Sequence, residues 1–105
     1  MNLYVIGPVT GIENENRNEF LWAAELLGDR HENISIPHDN HVEVWDEWRD
    51  AMALSVRHIG NELYEDRDNF GIAMLDGWED SRGARIEHDL AEALGIECRP
   101  WREWL

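Results

Sequence analysis

A glutamate interrupts the apolar face of the last long helix that the sequence predicts. The residues of that face are spaced by three, four and three positions: Ala84, Glu87, Ala91 and Leu94. Glu87 therefore points in the same direction as residues that must be buried. An unpaired buried carboxylate costs several kcal/mol or loses its charge. The pattern predicts a functional carboxylate, and an ion pair of Glu87 with Arg82, with Arg85 or with an arginine on another helix is the structural alternative.

The turn before this helix carries groups that suit an anion. Residues 80–83, Asp-Ser-Arg-Gly, offer backbone N–H groups, the Ser81 hydroxyl and the Arg82 guanidinium, with Gly83 opening the helix. Such a set is suited to binding a phosphate. Ser81 alone is equally explained as the N-cap of the helix, so both roles stay open. Asp76, at the end of the preceding apolar run, is a candidate acid.

Two more segments follow apolar runs and are candidate parts of a ligand site. The first is Gly7-Pro8-Val9-Thr10-Gly11, in which Gly7 and Gly11 permit a close approach of the backbone to a ligand. Pro8 and Thr10 belong to the same loop. The second is Gly77-Trp78, where the indole is suited either to stacking on a nucleobase or to plain packing.

Histidine and acidic residues form no convincing metal-binding pattern. His38 and His41 are three residues apart but lack a third ligand at a suitable spacing. The acids near Asp80 are explained by the helix dipole, which favours negative charge at an N-terminus. We expect neither a metal nor a cofactor.

These candidates require strands and helices that alternate along the chain. Apolar runs at residues 3–6 and 70–75 predict strands, and so do the short segments 34–36 and 96–99, each of which precedes a proline. Helices are predicted from Asn14 or Asn16 to Gly28, through the stripe that runs from Trp45 to Leu63, and from residue 80 or 81 to Gly95. Such alternation indicates an α/β domain with three layers and a parallel, flavodoxin-like or Rossmann-like sheet of four or five strands. Ligands of such sheets bind beyond the carboxyl ends of the strands, where the candidate residues lie.

Composition sets further limits. A length of 105 residues predicts one domain, residues 1–105. Nine arginines and no lysine against 23 acidic residues give a net charge of −14, which argues against binding to duplex nucleic acid. One cysteine excludes an internal disulfide, and the absence of a signal peptide or a long apolar run predicts a cytoplasmic protein without a membrane segment. Six tryptophans in so short a chain predict a homodimer or a higher oligomer.

Several of these residues together resemble a family. The relevant segments are residues 7–11, Asn16-Arg17, Phe20, Gly77-Trp78 and residues 81–87. They resemble a small family of uncharacterised phage and bacterial proteins, the DUF4406-like proteins. Those proteins are in turn similar to nucleoside 2-deoxyribosyltransferases and to 2′-deoxynucleoside 5′-monophosphate N-glycosidases. The second similarity rests on the order of elements and on the Gly-x-x-x-Glu pattern from Gly83 to Glu87.

The resemblance implies a mechanism. The glutamate at the place of Glu87 attacks C1′ of the sugar and expels the base, as in a retaining glycosidase. We expect the helix N-terminus, Arg82 and Arg85 to keep Glu87 ionised. The place of Ser81 resembles that of the phosphate-binding serine of the monophosphate hydrolases, which favours a nucleotide over a nucleoside.

The chain departs from the family pattern at acidic positions. Glu62 stands where an aspartate of the second helix is usual, and it is a candidate general acid or sugar ligand. Phe70 replaces a second aspartate, and Asp76 replaces a proline.

The function that the resemblance implies is that of an N-glycosidase or deoxyribosyltransferase that acts on a nucleotide or nucleoside. A non-catalytic nucleotide-binding module and a structural protein with a tryptophan-rich surface are the alternatives.

Overall fold

A parallel sheet of four strands forms the centre of the computed structural model, which describes residues 1–40 and 48–105. The helices and strands in chain order are β1 Asn2–Ile6, α1 Arg17–Gly28, β2 Asn33–Ser35, α2 Trp48–Asp66, β3 Phe70–Met74, α3 Arg82–Ala93 and β4 Glu97–Pro100. The strand order is β2-β1-β3-β4, and each pair is parallel. The predicted α/β class with a flavodoxin-like or Rossmann-like parallel sheet is confirmed.

The two central strands are buried and in register. β1 and β3 pair from Asn2 opposite Phe70 to Ile6 opposite Met74. All five residues of β3 are buried, as expected for a strand that is covered on both faces. The carboxyl ends of β1 and β3 therefore meet at one edge of the sheet.

Successive residues of β1 contribute to two hydrophobic clusters on opposite faces of the sheet. Leu3 and Val5 pack with buried residues of α1 and of the C-terminal turn Trp101–Trp104. Tyr4 and Ile6 pack instead with Ile59 of α2 and with Ala91 of α3. This alternation produces the predicted three layers, with α1 on one face and α2 and α3 on the other.

The C-terminal turn Trp101–Trp104 packs on the face of the sheet that α1 also covers. Trp101 and Trp104 are both buried, and Trp104 Nε1 donates to Ile72 O at 2.9 Å. A Cβ at Gly71 would lie only 2.7 Å from two ring carbons of Trp104. Gly71 therefore makes room for an indole that crosses β3.

Three details of the predicted helices differ from the structure, although α1 begins after Asn16 and ends at Gly28, as predicted. Asn16 occupies the N-cap position but does not cap α1, because its backbone is left-handed and its side-chain amide donates to Pro8 O. Leu94 is 45% exposed because α3 ends at Ala93. Val56 is 39% exposed, since the buried face of α2 follows Ser55 and Ile59 instead.

Smaller differences affect the ends of strands and of α2. β2 ends at Ser35 rather than at Ile36, and β4 begins and ends one residue later than predicted. The part of the α2 prediction that includes Trp45 lies outside the described residues. Within residues 1–40 and 48–105, no helix combines the length and hydropathy needed to cross a bilayer.

Candidate active site

A cavity of about 560 Å³ opens at the carboxyl end of the sheet. Its volume falls within the range of small-molecule sites, about 300–1,000 Å³. Five predicted site residues line it together: Gly7, Thr10, Ser81, Gly83 and Glu87. The loop after β1 and the first turns of α3 are thus brought to one wall, as the parallel topology requires.

Glu87 is the buried carboxylate of this wall. It is 4% exposed, and burial raises its pKa to about 7, while a hydrogen bond from Ser55 acts in the opposite direction. Among the described residues, Glu87 forms no ion pair. At neutral pH its ionised and protonated forms are therefore populated in similar amounts.

A chain of hydrogen bonds extends from Glu87 into the core. Ser55 donates to the Glu87 carboxylate and is 2.7 Å from the Tyr4 hydroxyl. Asn40 Nδ2 donates to Tyr4 Oη at 2.9 Å, and in the bond between Tyr4 and Ser55 either hydroxyl can be the donor. Burial and the charge of Glu87 both raise the pKa of Tyr4, which keeps the phenol protonated as a donor. The His58 ring stacks on Tyr4 with ring centroids 4.5 Å apart.

The two arginines expected beside Glu87 interact elsewhere, so that expectation is wrong. Arg82 is exposed, and its guanidinium carbon lies 4.4 Å from the ring centroid of Trp48. Arg85 is also exposed, and its Nη1 donates to Glu79 O at 3.1 Å. Neither guanidinium offsets the burial of Glu87, which is why the pKa of that carboxyl rises instead of staying low.

The other two candidate acids do not line the cavity as the structure describes it. Glu62 lies seven residues after Ser55 on α2. That separation is roughly 10 Å along a helix, toward the amino ends of the strands. Asp76 is exposed and pairs with Arg102 Nη1 at 2.9 Å.

Trp78 and its neighbouring glycine have structural roles. The Trp78 ring packs against His88 with centroids 4.3 Å apart and contacts the core cluster between the sheet and α3. Gly77 has φ +84°, a conformation that favours glycine, and its Cβ position faces Pro8 at 3.6 Å. Pro8, Gly77 and Trp78 shape the loops beside the cavity and are not among its described lining residues.

Gly7 and Gly11, in the loop after β1, are glycines for different structural reasons. A Cβ at Gly7 would lie 2.8 Å from Leu75 Cβ, so the contact between the ends of β1 and β3 excludes any side chain there. Gly11 has φ +82° with open space around it, and therefore it serves the turn of the loop.

A left-handed turn at Asn14–Asn16 forms the rim of the cavity. Asn14, Glu15 and Asn16 have φ values of 54°, 56° and 57°. Such angles cost of order 1 kcal/mol for a residue other than glycine and persist only where other contacts fix them. Asn16 Nδ2 donates to Pro8 O at 2.9 Å, and His38 Nε2 lies 2.9 Å from Glu15 O. Glu15 and Arg17 line the cavity from this turn.

Comparison with known proteins identifies the family. A family model described as "Domain of unknown function (DUF4406)" matches residues 1–99. The chain belongs to the DUF4406 family. The DUF4406 match runs from β1 into β4 and therefore includes every described residue of the cavity. Neither the curated proteins nor the solved structures yield a match.

Metal ligands do not converge in the described part of this DUF4406 protein, where no group of three or more His, Cys, Asp and Glu residues could hold an ion. His38 lines the cavity, and its Nδ1 is buried without a hydrogen-bond partner. Its predicted partner His41 lies outside the described residues.

Several residues that line the cavity of this DUF4406 protein are absent from the predicted site. Ser55 and Asn40 contribute to the cavity and to the hydrogen-bond chain, and Trp48 and Met52, which belong to the predicted apolar stripe of α2, also line the cavity. Ser55 could have been found, because it interrupts the apolar face of α2 just as Glu87 interrupts that of α3. Asn40 lies in a loop without periodicity, so no pattern indicates its direction.

Proposed function

We propose that this DUF4406 protein cleaves the base–sugar bond of a nucleotide or nucleoside, as an N-glycosidase or a deoxyribosyltransferase. Glu87 is the nucleophile. The observation that carries the proposal is a buried carboxylate in the wall of a cavity, hydrogen-bonded by Ser55 and free of any ion pair among the described residues. A carboxylate that is expensive to bury, in a site of ligand size, is typical of chemistry rather than of packing.

The reaction proceeds in two steps. An oxygen of the Glu87 carboxylate forms a bond to C1′ while the bond between C1′ and the base nitrogen breaks. The base leaves with that electron pair and takes a proton from solvent. Water then adds to C1′, returns the carboxylate and releases its second proton to solvent, so that the net reaction is hydrolysis. When a second base attacks C1′ instead of water, the outcome is transfer.

Burial of Glu87 suits this role in two ways. Burial removes water from around the carboxylate, and therefore the ionised form is less stabilised and more reactive. Ser55 and Tyr4 hold the carboxylate in one orientation through their chain of hydrogen bonds. Since the pKa of Glu87 is about 7, the rate should rise with pH through neutrality, where the reactive form becomes the major one.

The direct test is release of free base. Deoxynucleoside monophosphates and deoxynucleosides are incubated with the protein, and the base is quantified by chromatography. We expect release to disappear in Glu87→Gln, which preserves the shape of the side chain. Glu25→Gln removes an exposed acid of α1 and serves as the matched control. Base release that survives in Glu87→Gln refutes the assignment, and addition of a second base separates transfer from hydrolysis.

A nucleotide-binding protein without turnover is the second candidate. It is favoured by the positions of Glu62 and Asp76, because neither acid is among the described lining residues and the predicted general acid is thus missing there. For this candidate we expect ligand to raise the thermal stability while no base is released. Base release at any substantial rate excludes it.

Assembly and location are also part of the proposal. On α1, Leu21 and Trp22 are 46% and 47% exposed, and a second copy of the chain would cover such apolar surface. The free Cys98 and the net charge of −14 suit a cytoplasmic protein. Light scattering during gel filtration tests the homo-oligomer, and a monomeric mass contradicts it.

A further inference from the structure

Positive charge is scarce at the wall of the cavity. Among the described lining residues, Arg17 is the one arginine, and segment 41–47 contains neither arginine nor lysine. Ser81, the predicted phosphate ligand, supplies a hydroxyl without a charge, and its Oγ already accepts from Ala84 N at 3.2 Å. Arg82, the predicted cationic partner of Ser81, stacks on Trp48 instead.

The backbone around Arg17 is fixed from several sides. Arg17 begins α1 immediately after the left-handed turn Asn14–Asn16, and its N–H bonds to Asn14 O. The turn is tied to the loop after β1 by Asn16 and to the segment after β2 by His38. A strained turn with this many attachments places its neighbour reproducibly, which a specificity residue requires.

We infer that Arg17 is the specificity-determining residue of the site, and that it pairs with the phosphate of a nucleoside 5′-monophosphate. The inference rests on the proposed function for the identity of the substrate. An anionic ligand is repelled by a protein of net charge −14 and by Glu15 and Glu87, which both line the cavity, so a local cation must compensate. A guanidinium also matches phosphate with two parallel hydrogen bonds.

The experiment compares binding of a deoxynucleoside monophosphate and of its parent deoxynucleoside by calorimetry, alongside base release from both. Arg17→Gln should weaken binding of the monophosphate by about tenfold or more, the usual effect of losing one charge-assisted contact. Binding of the nucleoside should change by less than about twofold, because it has no phosphate. Arg17→Lys should retain part of the preference, since it keeps the charge and loses the fork.

Two control variants make the outcome decisive. Arg30→Gln, at an exposed position beyond the end of α1, should leave both affinities unchanged. Arg82→Gln tests the competing arginine. The inference is overturned when Arg82→Gln rather than Arg17→Gln removes the preference, when Arg17→Gln weakens both ligands equally, or when the wild-type protein shows no preference for the monophosphate.

The same experiment distinguishes failure of the proposed glycosidase activity from failure of the proposed role of Arg17. Monophosphate binding that depends on Arg17 without any base release leaves the role of Arg17 standing and removes the activity. Base release from the monophosphate that is unchanged in Arg17→Gln does the reverse. Added salt should weaken monophosphate binding to the wild type and have a smaller effect on Arg17→Gln.

Discussion

Glu87 should make the stability of the protein depend on pH in an unusual direction. Its pKa is about 7 in the folded protein, against 4.5 for an ordinary glutamate. Between those two values the folded state binds more protons than the unfolded state, so stability falls as pH rises. The stabilising contribution is fully present below pH 4.5 and is lost once the pH exceeds about 7.

The size of the effect follows from the pKa difference. Each pKa unit is worth about 1.4 kcal/mol, and integration between pH 5 and pH 8 gives a loss of about 2.5 kcal/mol from this one group. Glu87→Gln cannot titrate and should lack that loss. The measurement is the free energy of unfolding in urea, followed by tryptophan fluorescence at both pH values, for the wild type and Glu87→Gln.

Comparison of variants isolates Glu87 from the other acidic residues. Those residues titrate in both proteins, and their contribution cancels in the difference between the two pH dependences. Glu25→Gln should behave as the wild type does, because Glu25 is exposed. Parallel pH dependences for the wild type and Glu87→Gln would mean that burial does not govern this carboxyl, and the reasoning behind the candidate site would fail.

Other predictions concern the hydrogen-bond chain and the glycines. Ser55→Ala should raise the pKa of Glu87 further by about one unit, since a donor to the carboxylate is lost, and the pH midpoint of base release should move up equally. Gly71→Ala should lower the free energy of unfolding by about 1–3 kcal/mol, because the new Cβ meets Trp104. Gly60→Ala, within α2 and with open space around it, should raise that free energy by about 0.5–1 kcal/mol. Urea denaturation measures both, and the opposite sign in either variant contradicts the packing described.

Periodicity predicts which residues face the core, and in α3 it also predicts the central residue of the candidate site, Glu87. The position of Glu87 on a buried face is visible in the spacing of α3, and the strands are visible as short apolar runs. The same reasoning applied to α2 indicates Ser55. A buried polar residue on a helix is thus the most informative signal in this chain, because the cost of burial makes such residues rare.

Features that depend on loops and on helix direction were beyond the sequence. Asparagine is a common helix-capping residue, yet Asn14 and Asn16 have left-handed backbone angles. Asparagine tolerates such angles, but the sequence does not reveal them. Glu62 is predicted at the site because it stands where the family has an aspartate in its second helix. The path of α2 takes it away from the cavity, since the helix runs back toward the amino ends of the strands.

The C-terminal turn Trp101–Trp104 matters when a fragment of this protein is designed from the bounds of the family match. The family match stops at residue 99, whereas the indole of Trp104 reaches across β3 and donates to Ile72 O. A fragment cut at the family boundary would lose an internal wall of the molecule, exposing the strand beside Gly71 to water. The family match therefore ends before two tryptophans, Trp101 and Trp104, that belong to the hydrophobic core.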